Sequence, residues 1–297
     1  MDSREINKNA SNLPAQPQQA AGYKAQAVIK AAKIKAAEIL GLLTNHEHLT
    51  IVDSGDAAIK AAVQLFNAVL IPEEGGWLSY KKLPKSYDVV KCDDSRINLT
   101  ALEHRLKTKK AEAFLYQNPG GYFAEQPAQE IYQLCSSFGC KVIMDVSGAL
   151  GTKLCNGDYA DILVGSFGNW KLADAGAGGF ISARDKKVFE QLKAAALSDG
   201  ALLQKIARKL VCLNARIEFL SNKRKKIIND LFGFKVIYPG DLGFVAVIAV
   251  ADEQEKENLI SYCVKEELEW TECPRYIRVN RQAISIEVKR LQQPQEK

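Results

Sequence analysis

Lys171 stands in a setting suited to holding one reactive amine. The strand-like run Asp161-Ile162-Leu163-Val164 leads through Gly165-Ser166-Phe167-Gly168-Asn169-Trp170 to the lysine, and Gly176, Gly178 and Gly179 follow before the apolar pair Phe180-Ile181. A lysine on a rigid strand-end loop, walled by Phe167 and Trp170, can be desolvated so that its amine is neutral and nucleophilic, as a Schiff-base lysine requires. Taken alone it reads as a surface lysine; three other positions change that. Ser54-Gly55-Asp56-Ala57-Ala58 opens a helical pattern directly after an apolar run. The first amides of such a helix have no internal partner and make a place for a phosphate, although Ser54 or Asp56 acting as a plain helix cap gives the same pattern. Asp145 closes the apolar run Lys141-Val142-Ile143-Met144, and Trp77 follows Gly75-Gly76, where its ring either covers something flat or fills core.

The elements that must position these groups alternate. An amphipathic helix spans Tyr23 to Leu43 and ends at Thr44-Asn45, after a polar segment, residues 1–22, that reads as a loose arm. Strand patterns at Leu49–Val52, Val69–Pro72, Tyr87–Val90, Ala113–Tyr116 and Lys141–Met144 are separated by helical patterns, among them Leu99–Leu106 and Pro127–Phe138. This order predicts an α/β domain with a mostly parallel sheet sandwiched by helices and ligands at the carboxyl ends of its strands. Ser54, Asn118, Asp145 and Lys171 each fall at or just after such an end. Past Ala183 the chain changes character: charged helices from Lys187 to Phe232 bridge to a smaller α+β domain with strands at Gly243–Val250, Arg278-Val279 and Ala283–Val288 and a helix from Gln254 to Lys265. The expected division is a large ligand-binding domain over residues 23–185 and bridging helices plus a small C-terminal domain over residues 186–297.

The residue types make one chemical set. A pyridinium nitrogen needs a carboxylate, a phosphate needs helix-end amides and hydroxyls, a flat ring needs an aromatic cover and an aldehyde needs an amine. Asp145, then Ser54, Gly55 and Ser166, then Trp77, then Lys171 supply these in turn, which describes a site for pyridoxal 5'-phosphate.

Composition narrows the alternatives. With 297 residues and 47% hydrophobic content, the chain can bury a large core. Its net charge of +5, from 40 basic and 35 acidic residues, is too balanced to suggest nucleic-acid binding, and the basic run Lys223-Arg224-Lys225-Lys226 reads as a solvated helix face. Seven cysteines without a Cys-x-x-Cys pair and three scattered histidines argue against a metal site. No membrane span or signal pattern is legible, so a cytoplasmic location is expected.

Residues 50–181 resemble the large domain of the fold-type I pyridoxal-phosphate enzymes, most of all the DegT/DnrJ/EryC1/StrS aminotransferase family. Ser54-Gly55-Asp56-Ala57-Ala58 is similar to that family's Ser-Gly-Thr-x-Ala turn, Asp145-Val146-Ser147-Gly148-Ala149-Leu150-Gly151 to its Asp-Ala-Ala-Gln-Ala-x-Gly segment, and Ser166-Phe167, Lys171, Gly176, Gly178 and Gly179 match its Ser-Phe-x-x-x-Lys-x-x-x-x-Gly-x-Gly-Gly spacing. The resemblance implies that Lys171 carries the Schiff base, that Asp145 keeps the ring nitrogen protonated, that Ser54, Gly55 and Ser166 bind phosphate and that Trp77 stacks on the ring. It implies a small-molecule amine donor, a carbonyl acceptor, and a homodimer. Two positions depart from the pattern. Asp56 replaces a threonine, and a carboxylate 4 Å from a phosphate would repel it by roughly 4 kcal/mol at an effective dielectric near 20, so the side chain must turn away or the site is altered. Gly148 replaces a glutamine associated with the ring hydroxyl, for which Asn118 is a candidate substitute. Arg275, Arg278 and Arg281 are candidates for holding a substrate carboxylate.

Three functions remain open at this level. The leading one is an aminotransferase. A second is a lyase, a desulfurase or a selenocysteine-synthase-like enzyme, for which Cys273 is the one loop cysteine in a plausible position. The third is a non-catalytic descendant in which Asp56 and Gly148 record lost cofactor binding.

Overall fold

The structure, a computed structural model, describes residues 17–292. Helix α1 (Pro17–Thr44) leads to strand β1 (His48–Val52), helix α2 (Gly55–Val63), β2 (Val69–Pro72) and β3 (Tyr87–Val90). A small hairpin, β4 (Cys92–Asp93) and β5 (Arg96–Ile97), precedes α3 (Leu99–Thr108), β6 (Ala113–Gln117), α4 (Ala128–Ser137), β7 (Lys141–Asp145), β8 (Ile162–Ser166) and β9 (Gly179–Ala183). The seven-stranded sheet has the order β1-β9-β8-β7-β6-β2-β3. Neighbours from β3 to β8 are parallel, and β9 runs antiparallel to both β8 and β1.

Side-chain alternation on these strands builds two cores, one on each face. On β6, Phe114 and Tyr116 pack with Val142, Met144, Leu163 and Phe180, whereas Ala113 and Leu115 pack on the other face with Ile143, Ile162 and the α2 residues Ala58, Ala62 and Val63. A strand covered on both faces has no use for polar alternation, which explains the near-continuous apolar runs of the sequence. Full burial of each large apolar side chain contributes about 1.5–3 kcal/mol.

After β9 come α5 (Lys186–Gln191), α6 (Gly200–Val211), α7 (Leu213–Asp230), β10 (Lys235–Val236), β11 (Ala246–Ala249), α8 (Glu253–Lys265), β12 (Trp270–Cys273) and β13 (Ala283–Ile286). The last four strands form an antiparallel sheet of order β10-β11-β13-β12. The architecture is therefore the expected α/β sandwich followed by a smaller α+β portion.

Several local expectations are corrected. The expected loose arm of residues 1–22 lies outside the described residues up to position 16, and from Pro17 onward the chain already belongs to α1. Residues 192–199 are not helical, so the alanines 194–196 fall between helices. Arg278 and Val279 are not a strand; the third strand of the small sheet is β12, and a turn carries Arg278. The basic run on α7 is not a uniform solvated face. Arg224 is buried and donates to the carbonyls of Val245, Asp241 and Tyr238 at 3.0, 2.8 and 3.2 Å, fastening α7 to the entry of β11.

Candidate active site

Because β1, β2, β6, β7 and β8 point the same way, the loops after them converge at one edge of the sheet. Between that edge and the small sheet lies a cavity of about 440 Å³ lined by Ser54, Gly55, Asp56, Trp77, Asp145, Ser166 and Lys171. Six of the seven positions expected to hold the cofactor, with Asp56 beside them, thus share one wall system; Asn118 does not. Its side chain is 1% exposed, donates to the Leu154 carbonyl at 3.3 Å and accepts from the Gln126 amide at 3.2 Å, so it is committed to holding loops together.

At one end of the cavity, Ser54 caps α2 by accepting from the Ala57 amide at 3.1 Å. The plain capping reading is thus what the structure shows, and the same serine faces the cavity. A Cβ on Gly55 would lie 2.7 Å from Ser166 Cβ, so only glycine lets the start of α2 close against β8. Both serines and the free amides of the helix start then face one space, the donor set an anion needs.

Asp56 is turned off that space. Its Oδ1 accepts from Trp77 Nε1 at 2.9 Å and from Ser79 Oγ at 2.8 Å. The carboxylate that the sequence sets against a phosphate instead fastens the indole over the cavity.

Asp145 is 3% exposed at the end of β7; one oxygen accepts from the Ser147 amide at 2.8 Å and the other from Tyr80 Oη at 2.9 Å. Tyr80 is fully buried, and burial followed by the neighbouring Asp145 charge drives its hydroxyl well above the usual tyrosine range, so it remains a donor. Neither Tyr80 nor Ser147 was foreseen: Tyr80 lies three residues beyond Trp77 with nothing in the sequence to aim it at Asp145.

The loop that carries Lys171 is closed on itself. Phe167 N donates to Gly178 O at 2.9 Å, Ala175 N to Phe167 O at 2.8 Å, and Asp174 accepts from the amides of Trp170 and Gly176 at 2.7 and 3.0 Å. Gly178 N in turn donates to Asp53 O at 3.0 Å, tying the lysine loop to the phosphate-type turn. The Lys171 amine lies 5.1 Å from the centre of the Trp77 ring and donates to Tyr122 Oη. Of the two expected aromatic walls only Trp170 lines the cavity; Phe167 is fully buried and packs on Phe180 in the core.

The three candidate arginines separate. Arg275 lines the cavity on an exposed turn. Arg278 also reaches it but is 1% exposed and committed to Glu287 in a two-pronged pair at 2.7 and 2.8 Å, to Ser285 Oγ at 3.0 Å and to the Ile277 carbonyl at 2.8 Å. Arg281 lies outside the cavity and pairs with Asp94 at 3.3 Å. Lys289 and Arg290, which the sequence reading did not single out, line the same wall. Burial, then the neighbouring cations, push Lys289 down to about 7 against the opposing pull of Glu287. Burial alone would raise Glu287, but Arg278, Lys289 and Arg290 outweigh it and hold the carboxyl at about 2. Cys273 is buried at the end of β12 with its thiol pushed up by burial, and it does not face the cavity.

Residues 88–221, which include Asp145, Ser166 and Lys171, match the model of the DegT/DnrJ/EryC1/StrS aminotransferase family. The chain has the fold of the fold-type I pyridoxal-phosphate enzymes. Among solved structures of that fold, a 3-amino-5-hydroxybenzoic acid synthase is 15% identical with a TM-score of 0.67, the alignment covering 88% of this chain and 91% of the other. An alanine–glyoxylate aminotransferase from Nostoc sp. is 12% identical, TM-score 0.66, over 90% and 86% of the two chains. A serine palmitoyltransferase from S. paucimobilis with a bound PLP–myriocin adduct is 14% identical, TM-score 0.66, over 94% and 80%. No curated protein sequence matches the chain. Pyridoxal phosphate is the cofactor of that family, and the cavity found here fits it: the buried Asp145 carboxylate, a two-serine anion end that a Cβ at Gly55 would close, the Trp77 indole and the Lys171 amine line a single space. Among the described residues no helix is long and apolar enough to cross a membrane.

Proposed function

We propose that the protein is a pyridoxal-phosphate-dependent aminotransferase working through Lys171. The reading is carried by one observation: Lys171, on the loop after β8, and Asp145, at the end of the neighbouring strand β7, face the same cavity that Ser54 and Ser166 line. When bound, pyridoxal phosphate supplies an aldehyde and a ring that withdraws electrons from a substrate carbon. Ser54, Ser166 and the amides at the start of α2 would hold its phosphate. Asp145, fixed by Ser147 and Tyr80, would keep the ring nitrogen protonated, and Trp77, fixed by Asp56, would cover the ring and exclude water. The Lys171 amine would hold the cofactor at its aldehyde and would serve as the base and acid that moves the proton at the substrate carbon. Arg275, without an acidic partner among the described residues, is assigned to a substrate carboxylate.

The test is spectroscopic and then chemical. Purified protein given pyridoxal phosphate gains a visible band that borohydride fixes onto the chain, and Lys171→Ala gains none. Loaded protein transfers the amino group of an amino-acid donor to a keto or aldehyde acceptor. Release of sulfide or of an elimination product with no amino transfer would replace this reading with a lyase, and a protein that ignores the cofactor would leave it a binding protein.

A further inference from the structure

Tyr122, in the loop after β6, has a backbone φ of +67°, a conformation that side-chain-bearing residues rarely adopt. Strain of this kind persists where the surroundings impose it. Here they do. The Tyr122 amide donates to Pro119 O at 3.1 Å, and its carbonyl accepts from the Phe244 amide at 2.8 Å, just ahead of β11, so the residue is clamped between the large sheet's loops and the small sheet. The side chain is 6% exposed, lines the cavity, and places its hydroxyl on the Lys171 amine. The ring lies against Gly148: a Cβ there would come within 2.7 Å of Tyr122 Cδ1 and 3.1 Å of Cε1. Lys171, Lys289 and Arg278 stand 4.8, 5.1 and 5.5 Å from the ring centre.

We propose that Tyr122 is the residue that orients the Lys171 amine for its work, its ring occupying the space that the bare backbone at Gly148 leaves open. This rests on the cofactor-attaching role of Lys171. An amine on a four-carbon stem has many rotamers, and one hydroxyl held by a clamped backbone selects among them. Glycine at position 148 and tyrosine at position 122 are then one device, since neither fits with a bulkier partner.

Two substitutions separate this role from packing. Tyr122→Phe keeps the ring and removes the hydroxyl; Gly148→Ala keeps the hydroxyl and pushes the ring away. Both are titrated with pyridoxal phosphate, with the visible maximum and the dissociation constant as readouts and far-ultraviolet circular dichroism reporting the fold. Each is expected to displace the visible maximum and to weaken binding roughly tenfold while the protein stays folded. A Tyr122→Phe protein with the wild-type maximum and affinity overturns the proposal, because the ring then suffices. If Gly148→Ala does not fold, Tyr122→Phe decides alone. Wild-type protein that gains no visible band at all sinks the aminotransferase reading and this one with it, whereas a wild-type band unchanged in Tyr122→Phe sinks only this one.

Discussion

The Tyr80 hydroxyl donates to the Asp145 carboxylate at 2.9 Å across 65 residues of sequence, joining the turn after β2 to the end of β7 beneath the cavity. Removing it leaves a buried acceptor short of one donor. Tyr80→Phe is expected to lower unfolding stability by about 1–2 kcal/mol and to weaken pyridoxal-phosphate binding, as read by denaturant titration and by cofactor titration. Unchanged values in both would show that Asp145 is held without Tyr80.

Asp56 and Trp77 give a second expectation. Asp56→Ala frees the indole, so the tryptophan emission moves to the red and cofactor affinity drops roughly fivefold, about 1 kcal/mol. Asp56→Asn retains an oxygen acceptor and is expected to keep the wild-type emission. If the asparagine variant behaves like the alanine one, the carboxylate's charge rather than its acceptor matters.

The Arg278–Glu287 pair is buried at 1% side-chain exposure on both partners. Glu287→Ala strands a guanidinium in the interior, and a loss of about 3–5 kcal/mol is expected by chemical denaturation. The pH dependence follows from the same pair. Glu287 is held at about 2 against an ordinary 4.5, so its contribution is complete above 4.5 and is lost as pH falls from there toward 2. Stability measured down this range falls steeply in wild type and less so in Glu287→Gln.

Lys289 works with the opposite sign. Folded, it releases its proton at about 7, while the unfolded chain keeps it to about 10.5, so the unfolded state binds more protons in between and stability rises with pH across that window. The groups facing it are Glu287, Arg278, Lys171, Arg290, Tyr122 and Trp170. Lys289→Met is expected to raise stability at pH 7 and to flatten the rise toward pH 10; an unaltered slope would assign it to another group.

The sandwich and one end of the site are legible in the order of the residues. Apolar runs separated by helical patterns dictate parallel strands, and parallel strands bring every loop that follows a strand to the same edge, so Ser54, Asp145, Ser166 and Lys171 converge by topology alone. Residues whose roles depend on which loops touch were decided only by the tertiary structure. Asp56 looks like a defect until Trp77, 21 positions away, donates to it, and Gly148 looks like a lost side chain until Tyr122 fills its space. Asn118 sits where the pattern asks for a site residue, yet the turn it occupies draws its amide inward. Three arginines within seven positions are equivalent on paper. Docking of the small sheet places Arg275 on the cavity wall, commits Arg278 to Glu287 and leaves Arg281 against Asp94. Local periodicity fixes direction and edge, because backbone hydrogen bonding repeats along the chain; partnership between distant side chains is set by packing, which no local pattern encodes.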